Sequence, residues 1–311
     1  MAMEKIKTTK VLFIKLGKKG EYEDECIDKG YIKLGFNEIN HDDCLDKKWD
    51  KVREYYQSED REPYVISSFV NQIRQFYFEP KTTLWITFYK NKMWWCFADE
   101  EVELLSDGTK IRRAINGWND KDISSKKLTS ELLSGRLLKV QGWRGTICEV
   151  KERDYCLSKI NDEVSVEIIK TEQSLNELKE NVLTLIKKLG WKDFEILVDM
   201  IFRQAGWQRS GVLGKTTKSI DLELLSPVTG ETAAIQIKSQ SNLKEFKKYL
   251  DDFSKMDQYV KFFYIVHTPS EDLKNYVISS DDVQVNLYFG EKLSELVINS
   301  GLVDWLMRKI S

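Results

Sequence analysis

The sequence is short of proline, with 4 in 311 residues, and has no low-complexity tract, which excludes extensive disorder. Histidine is scarcer still, limited to His41 and His267. The five cysteines, Cys26, Cys44, Cys96, Cys148 and Cys156, are scattered, odd in number and never spaced CxxC. That inventory argues against structural zinc and leaves reduced, mostly buried thiols as the expectation. No apolar run approaches the roughly 20 residues that span a bilayer. The start, Met1-Ala2-Met3-Glu4-Lys5-Ile6-Lys7, lacks the apolar core of a signal peptide, so a cytoplasmic chain without a membrane partner is expected. An excess of one charge is also missing. The formal net charge is −2, whereas a protein that coats nucleic acid is basic overall. Global charge therefore gives no argument for such a partner, although an enzyme can confine positive charge to one face.

What is present is an ordinary globular balance, 41% hydrophobic and 32% charged, in a chain long enough for two domains or one large one. The two halves differ in texture. Six of the nine tryptophans fall in the first 150 residues, at Trp49, Trp85, Trp94, Trp95, Trp118 and Trp143. The segments 11–16, 83–89 and 93–98 are rich in β-branched and aromatic residues and read as strands, with further strands predicted over 138–143 and 164–169. Apolar spacing over 64–78 predicts the one clear helix of this half. The expectation is a curled, mostly antiparallel sheet with a few helices over 1–168.

The pattern changes near residue 171. Leu175, Leu178, Val182, Leu185 and Ile186 recur at helical spacing and predict a linking helix over 169–190, which either bridges the domains or packs on the second one. From 191 to 311 the order reads helix, three strands, then helix and strand in alternation, with a closing helix over 293–310. This makes the chain a two-domain α+β protein whose second domain is an α/β core with a mixed sheet.

The chemistry concentrates in one hairpin. Ser219-Ile220-Asp221-Leu222-Glu223-Leu224-Leu225 alternates polar and apolar residues as a half-buried strand does. A turn containing Pro227 and Gly230 follows, then the strand Ala233-Ala234-Ile235-Gln236-Ile237-Lys238-Ser239. Gln236 and Lys238, two apart, share a face. A hard divalent cation such as Mg²⁺, with Mn²⁺ as its substitute, takes oxygen ligands. Asp221 offers a carboxylate, Gln236 a side-chain carbonyl, Ile237 a main-chain carbonyl and Glu223 an optional second carboxylate. Lys238 can position or help deprotonate an attacking water, or stabilise charge on a phosphate. Glu195 lies in the preceding helix on a partly apolar stripe with Val198 and Phe202. The competing reading of an Asp and a Lys on a hairpin is a solvated face; against it, polar Gln236 and Lys238 interrupt an otherwise apolar strand.

Residues 191–311 resemble the Mrr-like branch of the PD-(D/E)xK nuclease superfamily, with Glu195 in the helix, Asp221 in SIDLELL and Gln236-Ile237-Lys238 in AAIQIKSQ. The resemblance implies a restriction-endonuclease-like core that hydrolyses phosphodiester bonds of double-stranded DNA with Mg²⁺, in a modification-dependent restriction enzyme acting in defence against foreign DNA. Glutamine in place of the superfamily's usual Glu is what the Mrr-like branch tends to carry, and it leaves one fewer charged ligand. Arg209, Lys215, Lys218 and Lys244 are the candidate contacts to the phosphate backbone, with a solvated loop as the alternative for the lysines at 215 and 218. His267, at the end of a buried strand, reads as a hydrogen-bonded residue rather than a catalytic one. The first half looks faintly like the PUA-like superfamily, which includes EVE and SRA-type readers. That resemblance implies a barrel in which Trp85, Trp94, Trp95, Trp118 or Trp143 stack on a flipped, modified base; the alternative is that they fill the core. Trp94 and Trp95 must point to opposite faces, so at most one serves any one pocket. The alternatives to a restriction enzyme are a silent nuclease-fold DNA-binding protein and a repair or junction nuclease. Double-strand cleavage by a single-site nuclease would call for a homodimer or for transient pairing of two copies.

Overall fold

The computed structural model describes residues 4–210, 220–278 and 284–311. The chain divides into two compact units, 1–165 and 166–311. Both are mixed α and β.

In the first unit the elements run β1 (Val11–Ile14), α1 (Glu23–Lys29), β2 (Tyr31–Leu34), α2 (His41–Leu45), α3 (Trp49–Ser58), α4 (Pro63–Phe78), β3 (Leu84–Tyr89), β4 (Lys92–Ala98), β5 (Glu103–Leu104), β6 (Lys110–Asn119), α5 (Gly135–Leu138), β7 (Ile147–Glu149) and α6 (Arg153–Ile160). Among the described residues the strand order is β2-β6-β4-β3-β1-β7, with β5 beside β6. All pairs are antiparallel except β1 with β3. Alternation along β1 sends Leu12 and Ile14 to one apolar layer, with Trp85, Ile73 and Phe76, and Val11 and Phe13 to the other, with Leu84, Trp95 and Leu137. Pro63 occupies the first turn of α4, where its missing N–H costs nothing, and Ile66, Val70, Ile73 and Phe76 form its buried stripe. The C-terminal carbonyls of α4 are met by Arg112, fully buried, which donates to the main-chain oxygens of Phe76 at 2.9 Å and Glu79 at 2.7 Å.

Three expectations are corrected. Residues 138–142 are helical rather than extended: Ser134 caps α5 by accepting from the Arg136 N–H, and a 3-10 turn follows over Lys139–Gly142. The β-branched run at 164–169 is not a strand; it opens the helix α7 (Val166–Ile186) of the second unit, where Val166, Ile168 and Ile169 are exposed and β-branching lowers helix propensity only slightly. The closing helix is two, α11 (Gly290–Asn299) and α12 (Val303–Ile310), broken where Gly301 takes the left-handed conformation that ends α11.

In the second unit α7 packs on α11 and α12. Its apolar stripe is buried only from Val182 onward, while Leu175 and Leu178 are exposed. Next come α8 (Trp191–Gln204), β8 (Gln208–Arg209), β9 (Leu222–Leu225), β10 (Thr232–Ser241), α9 (Leu243–Phe253), β11 (Lys261–Pro269), α10 (Glu271–Lys274) and β12 (Val285–Tyr288), ahead of α11 and α12. The sheet order among the described residues is β12-β11-β10-β9-β8. β10, β11 and β12 run parallel; β8 and β9 are antiparallel additions. Ala233, Ile235 and Ile237 face α8 through Phe194, Leu197 and Val198, whereas Ala234 joins Phe246 and Tyr264 on the opposite layer. No helix of the described residues is long and apolar enough to cross a membrane.

Candidate hydrolytic site

The site forms where β9 stops short of β10. Pairing between them covers Thr232 to Ile235, and the last rung is the Asp221 N–H donating to the Ile235 carbonyl at 3.0 Å. Beyond it the edge of β10 is met by a side chain instead of a strand: Asp221 Oδ2 accepts from the Ile237 N–H at 2.6 Å and from Gln236 Nε2 at 2.5 Å. Within an extended strand the N–H and C=O of one residue point to the same side, so the Ile237 carbonyl faces this same edge. Gln236 is buried, and its Oε1 has no hydrogen-bond partner.

Electrostatics joins Glu195 of α8 to the hairpin. Burial, and after it the charge of Asp221, raises the Glu195 carboxyl above its ordinary range, against weaker pulls from Arg209, Lys192 and Lys238. Burial also raises Asp221, against its hydrogen bond from Ile237, the Lys238 charge and Gln236. Two carboxyl groups thus hold protons more firmly than they would in water, because burial and mutual repulsion oppose the doubly ionised state.

Lys238 has supports that the motif did not reveal. Its ammonium stands 3.6 Å from Glu245 Oε1 and 4.9 Å from the centre of the Tyr249 ring. Burial alone would lower its pKa; Tyr249, Glu245 and Asp221 outweigh it and hold the group above its ordinary value. These neighbours favour the charged form of Lys238. Glu245 and Tyr249 lie one turn apart on α9, which Asn242 starts by accepting from the Glu245 N–H. The signal in the sequence was the i, i+4 spacing of an acid and a tyrosine in the helix directly after the strand.

The remaining expected residues scatter. Glu223 follows Asp221 on the same side of β9, but its carboxylate is engaged by the Tyr259 hydroxyl. Arg209, exposed on β8, lies close enough to lower Glu195. Lys244 is exposed in the first turn of α9. Lys215 and Lys218 lie outside the described residues. His267 is buried, hydrogen-bonded through Nδ1 to Thr268 Oγ1 at 2.8 Å and set edge-on to Phe194. The five tryptophans share no pocket. Trp85 is fully buried, and Trp118 packs against the same apolar layer; Trp95 sits in the opposite one. Trp94 is half-buried against Tyr89, and Trp143 is exposed.

The residues fit a hard divalent cation. Gln236 has a buried, unpartnered carbonyl oxygen, the Ile237 carbonyl faces the same edge, and two neighbouring carboxyl groups would be relieved of their repulsion. No three His, Cys, Asp or Glu side chains converge on a metal position among the described residues; this donor set has two carboxylates and otherwise neutral oxygens. Comparison with protein-family models, curated proteins and solved structures finds no match.

Proposed function

We propose that the second unit is a Mg²⁺-dependent DNA endonuclease of the Mrr-like PD-(D/E)xK type. The observation that carries this reading is the Asp221 carboxylate bound across Gln236 and Ile237 at the open edge of β10, with Glu195 and Lys238 beside it. Asp221, Gln236 and the Ile237 carbonyl would hold the metal, with Glu195 completing the set. Bound there, Mg²⁺ would supply the Lewis acidity that polarises a phosphodiester and lowers the pKa of a coordinated water. Lys238, kept protonated by Glu245 and Tyr249, stabilises negative charge developing on the phosphorane oxygens. Arg209 and Lys244 supply phosphate contacts that position the duplex without reading sequence.

The wider assignment is a modification-dependent restriction enzyme acting on foreign DNA, with the first unit as a PUA-like reader of modified bases and a homodimer for double-strand breaks. Purified protein is expected to nick plasmid DNA with Mg²⁺ or Mn²⁺, and modified DNA faster than plain DNA. Asp221→Ala and Lys238→Ala should each abolish nicking; cleavage by both variants at the parental rate refutes the assignment. One observation favours a second reading, a catalytically silent DNA-binding unit: neutral Gln236 stands where a third carboxylate would strengthen the site. Failure to bind any divalent ion at millimolar concentration decides for that reading.

A further inference from the structure

The first unit holds a cleft that the hydrolytic site does not use. It lies between the turn after β1, the end of β2, α4 and the 144–146 segment, and its volume is about 410 Å³, within the range of small-ligand sites. Tyr22, Phe36 and Phe69 line it, each half-buried, with Phe36 and Phe69 meeting edge-to-face at 5.4 Å. Lys15, Lys18, Lys19 and Arg144 line it too. The lining carboxylate, Glu21, accepts from the Lys18 main-chain N–H at 2.9 Å. Four cations against one acid is a local excess in a chain whose net charge is −2.

Both walls are built by buried polar side chains. Phe36 has φ 56°, a backbone conformation that a bulky side chain disfavours. Buried Lys110 holds it there, donating to the Phe36 carbonyl at 2.6 Å and the Ile39 carbonyl at 3.0 Å. On the opposite wall Gln72, only 3% exposed, accepts through Oε1 from the N–H groups of Thr146 at 2.5 Å and Ile147 at 3.0 Å. A Cβ at Gly145 would come within 2.6 Å of Trp143 Nε1 and 2.7 Å of Gln72 Oε1, so a side chain there would have to displace both. Strain of the Phe36 kind persists where the surroundings enforce it and concentrates at ligand sites.

We propose that this cleft binds one unstacked nucleotide, its base against the Phe36, Tyr22 and Phe69 rings and its phosphate held by Lys18, Lys19 and Arg144. Rings that stack on a base beside cations that track the phosphate form the recognised combination for single nucleotides. An apolar ligand would leave the cations unused, and an acidic peptide would leave the rings unused. The proposal rests on the first unit alone and does not depend on hydrolysis by the second.

The test is anisotropy titration of the full chain, in EDTA, against a labelled single-stranded DNA of about 12 nucleotides, with unlabelled deoxynucleoside monophosphate as competitor. Phe36→Gly removes the ring and suits the left-handed backbone; Lys18→Glu/Lys19→Glu reverses the rim. Each should weaken binding roughly tenfold or more, while Lys81→Glu/Lys121→Glu, exposed lysines outside the cleft, should change it less than about twofold. Competition by the monophosphate identifies a free nucleotide as sufficient; binding of the strand alone identifies a nucleotide within a chain, and either supports the site. Three results overturn it: no binding of either probe, equal binding by parent and both cleft variants, or a loss confined to the charge reversal. Plasmid nicking by Phe36→Gly, assayed separately with Mg²⁺, reports on the second unit, so the two readings fail independently.

Discussion

Replacing Asp221 with asparagine should move stability and chemistry in opposite directions. Burial raises the Asp221 carboxyl, so its negative charge opposes folding wherever no cation is bound. Oδ2 accepts from Gln236 Nε2 and the Ile237 N–H, while Gln236 Oε1 is buried without a partner. Asparagine keeps an acceptor for both the Ile237 N–H and Gln236 Nε2. Removing the buried charge while keeping both hydrogen bonds is worth about 1–2 kcal/mol. Asp221→Ala instead strands the Ile237 N–H and costs about 1–3 kcal/mol. With roughly 3 °C per kcal/mol for a domain of this size, the asparagine variant should melt up to about 6 °C above the parent and the alanine variant about 3–9 °C below it. The pH dependence has a definite sign. A carboxyl whose folded pKa is raised contributes stability that is fully present below the unfolded value, about 3.9, and is lost as pH rises through the folded value. In EDTA the advantage of Asp221→Asn should therefore grow as pH rises from the acid range toward neutrality. Mg²⁺ reverses the order: at 100 times its Kd it adds about 2.7 kcal/mol to the parent and far less to the variant. Scanning calorimetry at pH 5 and 7, with EDTA and with Mg²⁺, reads all of this. The reasoning is refuted if Mg²⁺ raises the parent and Asp221→Asn equally, or if Asp221→Asn melts no higher than Asp221→Ala.

Two further perturbations probe neighbouring groups. Gln236→Glu places a third carboxylate beside Asp221 and Glu195; without metal it should destabilise the fold by about 1–3 kcal/mol at pH 7, and with Mg²⁺ it should tighten Kd about tenfold by titration calorimetry. An unchanged Kd would remove Gln236 from the ligand set. His267 is buried with Nε2 unpartnered, and burial lowers its pKa. Its stabilising effect is therefore present above the unfolded value of about 6.5 and lost as pH falls below it. His267→Phe should abolish that loss, so that urea midpoints at pH 5 and 7 lie closer together than in the parent by about 1 kcal/mol of stability; identical acid sensitivity of both proteins would contradict it.

The second unit was legible in the sequence because its chemistry lies on regular elements. Alternation and the Pro227–Gly230 turn set the hairpin register, and that register alone brings Asp221 to the Gln236–Lys238 edge. The supports of Lys238 come from α9, whose orientation on the sheet no strand pattern states. The first unit hid more. At its end the β-branched residues 164–169 suggested a strand where α7 of the second unit begins, and its tryptophans drew attention although two faces of one sheet divide them. The aromatic side chains that line a cleft are Tyr22, Phe36 and Phe69, which belong to a turn, a strand end and a helix. What assembles them is a left-handed Phe36, held by a lysine 74 positions later in the chain, and a loop at 145–147 fastened to a glutamine of α4. Neither contact has a period or a spacing. Residues joined by buried side-chain to main-chain hydrogen bonds of long sequence separation leave no local pattern, which is why a site on irregular backbone emerges only once the chain is folded.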